Sequence, residues 1–239
     1  TVQVDDYGNS VQRVYLGYGN LYHDATVSKQ GKWYEEWFIA PFQFDLNAYV
    51  GNDDHVLTDL FYYSQGTSNN YGVNSSGTYA ISNFKDWSEK VDSAGQGWRT
   101  LTGEEWYCLF FERANHANLF GYATITNIPT SGRSDSPYYT RTEQVGCIVL
   151  PDNWVMPASL QDHTFVTGDA GFSINVYDFE EWLLLEEAGA IFLPWQGLVG
   201  ATDRVSYWAK SYQGSNKVYN FCFHTNEIGG VHDHGTDPC

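Results

Sequence analysis

The sequence predicts an α+β domain, and three observations carry that expectation. Residues 98–106 (WRTLTGEEW) read as a helix start. Thr102 and Glu105 have the spacing of a capping box, in which each side chain satisfies an orphan amide at the helix N-terminus. Residues 146–157 (GCIVLPDNWVMP) open with a short β-rich run, Cys147 to Leu150, ended by a Pro-Asp-Asn turn. Residues 188–197 (AGAIFLPWQG) hold a further strand, Ala190 to Leu193, stopped by Pro194.

In chain order, residues 12–16, 33–40 and 59–63 read as strands or extended segments. Polar loops rich in Gly, Asn and Ser lie between them, notably residues 64–77 (SQGTSNNYGVNSSG). The first helix is expected over residues 103–114. Trp106, Leu109 and Phe110 form its apolar face, while Glu112 and Arg113 suit solvent. A long excursion, residues 127–144, precedes the strand at Cys147. A second helix follows Asp178, with Phe179, Trp182, Leu183 and Leu185 able to reach a core. Its acidic first turn, Glu180 and Glu181, suits the positive end of the helix dipole. Strands return at residues 190–193 and 205–210. A final hairpin joins residues 217–225 to 230–234 across a turn near 227–229. No internal repeat interrupts this order.

At 239 residues the chain could be one large or two small domains. No linker, charge block or composition shift divides it, so one domain spanning residues 1–239 is expected. Apolar residues at 42% suffice for a core. Eighteen Tyr and nine Trp are a heavy aromatic load, and some of those rings are expected at the surface as rigid contact groups. Twelve basic against 29 acidic residues leave a formal charge of −17, which disfavours nucleic acid and anionic lipid as partners. No apolar run reaches the length of about 18 residues that a membrane-spanning helix needs, so no membrane insertion is expected. The chain opens at Thr1-Val2-Gln3 without a basic n-region or apolar h-region, as expected of the mature part or a fragment of a longer protein. Cys108, Cys147, Cys222 and Cys239 allow three pairings if all are bridged, and none has Cys-x-x-Cys spacing. Cys108, Cys147 and Cys222 lie in apolar runs, where free thiols behave as small hydrophobes. Export would favour a disulfide instead.

Taken together, the three motifs, with residues 14–22 (VYLGYGNLY) and 207–223 (YWAKSYQGSNKVYNFCF), resemble a family of secreted and surface proteins common in gut Bacteroidetes. They look like remote relatives of the C-type lectin and formylglycine-generating-enzyme folds. The resemblance covers nearly the whole chain. It implies two helices flanking a small, twisted, mostly antiparallel sheet with long loops, and an extracellular, cell-surface or virion location. It also implies a last strand containing Ser-Val-Arg beyond the equivalent of Cys239. Fold resemblance is poor evidence for function, because one scaffold hosts many sites.

The resemblance places a ligand surface in the C-terminal part. That region holds Trp195, Arg204, Tyr207, Trp208, Lys210, Tyr212, Asn216, Lys217, Tyr219, Asn220, His224, Asn226, His232, Asp233, His234 and Asp237. Aromatic rings interleaved with Asn, Asp, His and Lys suit a glycan or protein partner: rings stack on apolar faces and polar groups fix hydrogen-bond geometry. Strand alternation puts Val218, Asn220, Cys222 and His224 on one face, and Tyr219, Phe221 and Phe223 on the other, the core side. Tyr207 and Trp208 could equally be core rings, since large aromatics are usually buried. Some relatives are variable proteins of diversity-generating retroelements, whose mutated positions favour Asn, Tyr, His, Asp, Ser and Gly. Residues 216–237 are rich in these types, as ordinary polar loops are too.

His232 and His234 are two apart in an extended run and so share a face. If the hairpin turn centres on Gly229 or Ile228, His224 lies opposite one of them, and three imidazoles converge as ligands for Zn²⁺, Cu²⁺ or Ni²⁺. The competing reading is three histidines on a binding strand with no bound cofactor. Asp45, Asp53, Asp54, Asp152 and Asp169 show no alternating oxygen-ligand loop for calcium. An enzyme is the rival class. Residues 98–106 resemble the Arg-Leu-Pro-Thr-x-x-Glu-Trp helix start of formylglycine-generating enzymes, a motif that is structural there. Their Arg-Gly-Gly-Ser-Trp signature is absent, and so is a Gly-x-Ser-x-Gly elbow. The adjacent pairs Glu35-Glu36, Glu104-Glu105, Glu180-Glu181 and Glu186-Glu187 point apart rather than flanking a substrate. The expectation is a non-catalytic ligand-binding domain; a metal-dependent oxidase and a structural subunit of a surface appendage are the alternatives.

Overall fold

The computed structural model describes residues 2–6, 10–17, 21–29, 32–39, 57–58, 86, 88, 91, 97–129, 142–168, 170–195, 204–212, 218–224 and 231–234. The architecture is α+β. A mixed sheet of four strands, order β8-β6-β7-β9, stands between two helices. Its members are β6 (Phe120–Thr126), β7 (Glu143–Val149), β8 (Asn175–Asp178) and β9 (Ile191–Pro194). β7 runs antiparallel to β6 and to β9, whereas β8 is parallel to β6. Three further groups of paired strands complete the described elements. They are β1 (Val2–Asp6) with β2 (Ser10–Val14); β3 (Leu21–Lys29) between β4 (Lys32–Ile39) and β5 (Leu57–Thr58); and β10 (Arg204–Tyr212), β11 (Val218–His224) and β12 (Val231–His234).

The mixed sheet is covered on both faces. Tyr122, Cys147, Val149, Leu193 and Trp195 share one face and pack with Trp106, Leu109, Phe110, Ala209 and Phe221. Ala123, Ile125, Ile148 and Phe192 take the other, against Phe179, Trp182 and Leu185. Such two-sided burial explains why β6 (FGYATIT) shows no apolar–polar alternation: a strand covered on both sides has no solvent face to mark. β6 and β8 were not anticipated, and neither were β1 and β3. Close strand packing also fixes Gly146, where a Cβ would stand 2.5 Å from Leu193 O and 2.5 Å from Phe192 Cζ.

Helix α1 (Gly103–Tyr107) starts on the expected capping box: Glu105 N donates to Thr102 Oγ1 at 3.2 Å, and Thr102 N to Glu105 Oε2 at 2.8 Å. It is shorter than expected. A π-helical turn, Cys108–Glu112, replaces the rest, and Arg113 is already extended at φ −60°, ψ 150°. Trp106, Leu109 and Phe110 are buried as expected and Glu112 is exposed. Arg113 is not at the surface but only 4% exposed. Its Nη1 donates to Leu150 O at 2.8 Å and its Nη2 to Leu119 O at 3.0 Å, closing the end of the β6–β7 ladder, where Leu150 N donates to Leu119 O.

Helix α2 (Phe179–Glu187) carries a second capping box, Asp178 with Glu181. Phe179, Trp182 and Leu185 are buried, and Leu183 is partly so. It ends in a Schellman motif: Ala190 N donates to Leu185 O and Gly189 N to Glu186 O, with Gly189 left-handed at φ 98°. The Ala-Gly-Ala run is therefore the hinge that delivers the chain from α2 into β9. Of the extended segments expected in the N-terminal third, residues 12–16 and 33–40 correspond to β2 and β4. Residues 59–63, the loop 64–77 and residues 130–141 of the excursion lie outside the described residues.

Candidate functional site

The candidate site is built on β10–β11–β12. One face of this small sheet is spent on the core. Phe221 stacks on Trp106 (5.1 Å, 8°) and on Phe110 (4.4 Å, 16°), and Tyr207 lies tilted against Trp106 at 5.5 Å. Ala209 is fully buried beside them. The Tyr207 hydroxyl donates to Pro194 O at 3.4 Å, and burial pushes its pKa up. These contacts seat the C-terminal strands on α1, as alternation predicts for the Tyr219, Phe221, Phe223 set; only Phe221 of that set has a described side chain.

Directly opposed residues of an antiparallel pair lie on the same face, so the register sorts the remaining positions. Arg204 pairs with His224, Ser206 with Cys222, and Trp208 with Asn220, which in turn pairs with His232. Tyr212 pairs with Val218, which pairs with His234. Two transverse rows result, Trp208–Asn220–His232 and Tyr212–Val218–His234, on the face opposite Phe221. Each spans about 10 Å across three strands. The register of β10 slips between Trp208 and Tyr212 because Lys210 leaves the ladder: its N–H donates to Leu101 O at 2.8 Å, just ahead of α1. Lys210 is exposed, with Nζ 3.9 Å from the buried Asp86 carboxylate.

The expected contact residues therefore divide. Arg204, Trp208, Tyr212, Asn220, His224, His232 and His234 belong to one register face. Tyr207 is directed to the core, and Tyr219 and Asp233, paired with each other, hold register positions on that core side. Trp195 is a correction: it is 7% exposed, edge-on to Phe172 at 5.2 Å, and its N–H extends the β7–β9 ladder by donating to Val145 O. It packs in the core because it keeps the same parity as Leu193. Asn216, Lys217, Asn226 and Asp237 lie outside the described residues. The histidine geometry differs from expectation too. The β11–β12 register is symmetric about position 226, not 228 or 229, so His224 stands opposite neither His232 nor His234. It lies four positions along β11 from Asn220, the partner of His232, or about 13 Å.

Among the described residues, no group of three or more His, Cys, Asp or Glu side chains is arranged to hold a metal ion. Asp152 instead receives Arg113 Nη1 at 3.3 Å; Asp45, Asp53, Asp54 and Asp169 lie outside the described residues. Cys108 and Cys147 are both buried, and burial pushes the Cys147 thiol up. Glu105 is opposed by burial, yet the Arg99 guanidinium and the Thr102 amide hold it below the ordinary carboxylate range. Asp86 accepts from Thr100 N at 3.0 Å and Thr100 Oγ1 at 3.0 Å, so its charge ties residues before α1 to β10 through Lys210. Sequence reading assigned Arg113 to solvent and passed over Asp86; the spacing of Arg113, seven after Trp106, was the available signal for an inward position. No helix among the described residues is long and apolar enough to cross a membrane. Comparison with protein-family models, with curated proteins and with solved structures gives no match to this chain.

Proposed function

We propose that this chain is a non-catalytic recognition domain of C-type-lectin-like fold, exposed on a cell or virion surface. In this reading it binds a glycan or protein through the β10–β12 face opposite the core. The observation that carries the reading is the division of that sheet. Its Tyr207, Ala209 and Phe221 positions are consumed by packing on α1. The opposite positions bring two aromatic residues, Trp208 and Tyr212, into rows with Asn220, His232 and His234. Rings beside amide and imidazole donors are the residue types that rigid recognition surfaces use.

The test is capture of glycans on an array and of surface proteins in a pull-down, with and without EDTA. Specific capture that survives EDTA is expected. Tyr212→Ala, or His232→Ala with His234→Ala, abolishes it without moving the melting temperature. A large fall in melting temperature for either variant, or no capture under any condition, overturns the reading.

A further inference from the structure

The four-stranded sheet ends in an open edge. In the order β8-β6-β7-β9, β8 pairs with β6, and among the described residues no strand pairs with its other side. Natural sheets shield such edges with lysine, proline, a bulge, a covering element or brevity. β8 (NVYD) has neither lysine nor proline, and its register with β6 runs without a bulge from Asn175 to Asp178. Of these devices it has brevity. Its alternate side chains face opposite ways. Asn175 and Tyr177 are buried: Asn175 Nδ2 donates to Tyr122 O at 2.7 Å, its Oδ1 accepts Val166 N at 2.8 Å, and Tyr177 stacks on His163. Val176 is 44% exposed, and Ile174, just ahead of the strand, is 50% exposed. The edge is held from behind by buried contacts and presents apolar side chains in front.

Charge decides what suits this edge. Residues 142–203 hold ten acidic residues and no Lys or Arg. On the face that Val176 shares with Thr124, the next row is Asp178–Thr126–Glu143. Glu143 is exposed, and so is Glu180 in the first turn of α2. Asp178 accepts Glu181 N at 2.9 Å, and Glu181 lies 3.2 Å from His163 Nε2. Arg113 sits at the opposite end of β6 and β7, buried against Leu119 O and Leu150 O, so it does not neutralise this row.

We propose that β8 takes up an extended, cationic segment of a partner protein as an added strand, on a sheet other than the β10–β12 face. The partner's main chain pairs with the open edge and supplies affinity, while its alternate side chains supply selection. With a period of two, a β-branched residue lies beside Val176, and a Lys or Arg two positions away lies beside Asp178. An acidic segment is repelled by the same row. A second copy of this chain would bring these carboxylates against their like.

The experiment measures binding of the intact chain to the capped peptide Thr-Lys-Thr-Val-Thr-Lys-Thr, which puts Lys, Val and Lys on one side in either strand direction. Its isomer Thr-Thr-Lys-Val-Lys-Thr-Thr moves both lysines to the other side, and Thr-Glu-Thr-Val-Thr-Glu-Thr reverses the charge. The first peptide is expected to bind at least about tenfold tighter than the glutamate peptide and several-fold tighter than its isomer. Val176→Lys, a charge on the edge itself, is expected to weaken that binding about tenfold. Glu143→Gln, an exposed position in the acidic row, weakens it less and serves if Val176→Lys fails to fold. On the unaltered chain, saturating peptide slows amide hydrogen exchange over residues 174–178. Absence of binding, equal binding of the isomers or of the glutamate peptide, or unchanged exchange in β8 overturns the proposal. None of these outcomes bears on the β10–β12 reading, whose capture assay and variants are separate.

Discussion

Replacing Arg113 with alanine tests the least expected feature of this fold. The guanidinium bridges Leu119 O (3.0 Å) and Leu150 O (2.8 Å), where β6 begins and β7 ends, and its side chain is 1% exposed. Burial lowers its pKa; the facing Asp152 opposes that shift. Removing one member of a buried, hydrogen-bonded polar set costs about 3–5 kcal/mol, of which loss of the packed methylene stem is one part. For a chain of this size that corresponds to a fall in melting temperature of about 6–20 °C. The third partner contributes little. Asp152 is a third exposed, so Asp152→Asn is expected to cost under about 1 kcal/mol. Arg113→Met keeps volume without the charge and should recover part of the alanine loss, because Leu119 O still accepts Leu150 N at 2.8 Å. Urea unfolding of the four proteins, compared at equal slope, reads these differences directly. An Arg113→Ala protein within about 1 kcal/mol of the parent would refute the reasoning, since that is the worth of an exposed ion pair.

Thr102→Ala removes one arm of the first capping box and is expected to cost about 1 kcal/mol by the same urea assay. Gly146→Ala forces a Cβ against Leu193 O and Phe192 Cζ and should cost more than about 2 kcal/mol, visible as loss of soluble, cooperatively melting protein. Desolvation raises the Glu186 carboxyl to about 7. A carboxyl raised on folding contributes stability below its unfolded pKa, and that contribution is lost as pH rises through about 7. Glu186→Gln should therefore leave the melting temperature nearly unchanged at about pH 4, below the unfolded pKa, and raise it at about pH 8; an equal shift at both pH values contradicts the assignment. For Glu105, held low by Arg99 and Thr102 against its burial, the sign is opposite: its stabilisation is present above the ordinary glutamate range and lost as pH falls through the depressed value. Glu105→Gln should flatten the acid limb of a stability–pH curve.

Both helix starts were legible because their signals are local. A capping box needs only two residues three apart; the stop of α2 at Gly189, left-handed at φ 98°, was not read from the sequence. The strands β7 and β9 were legible as short apolar runs ended by proline. The central strand β6 escaped for the opposite reason: Gly121, Ala123 and Thr124 are small, and burial on both faces erased the alternation that marks a strand. For Arg113 the spacing pointed inward and the residue type pointed outward; the spacing prevailed, since two backbone carbonyls were there to receive the guanidinium.

The sequence by itself determined the α+β class, the order of the helix starts and the proline-ended strands, and the core-side position of Phe221. Each follows from contacts within a few residues or from the two-residue period of a strand. The tertiary structure alone decided the register of the C-terminal hairpin, and with it which residues share a row. A strand with polar residues on one face is weakly held to any one register by its own pattern. Seating Tyr207 and Phe221, a directly opposed pair, on Trp106 accounts for the alignment of β10 with β11. In the β11–β12 pairing, Asn220, not His224, stands opposite His232.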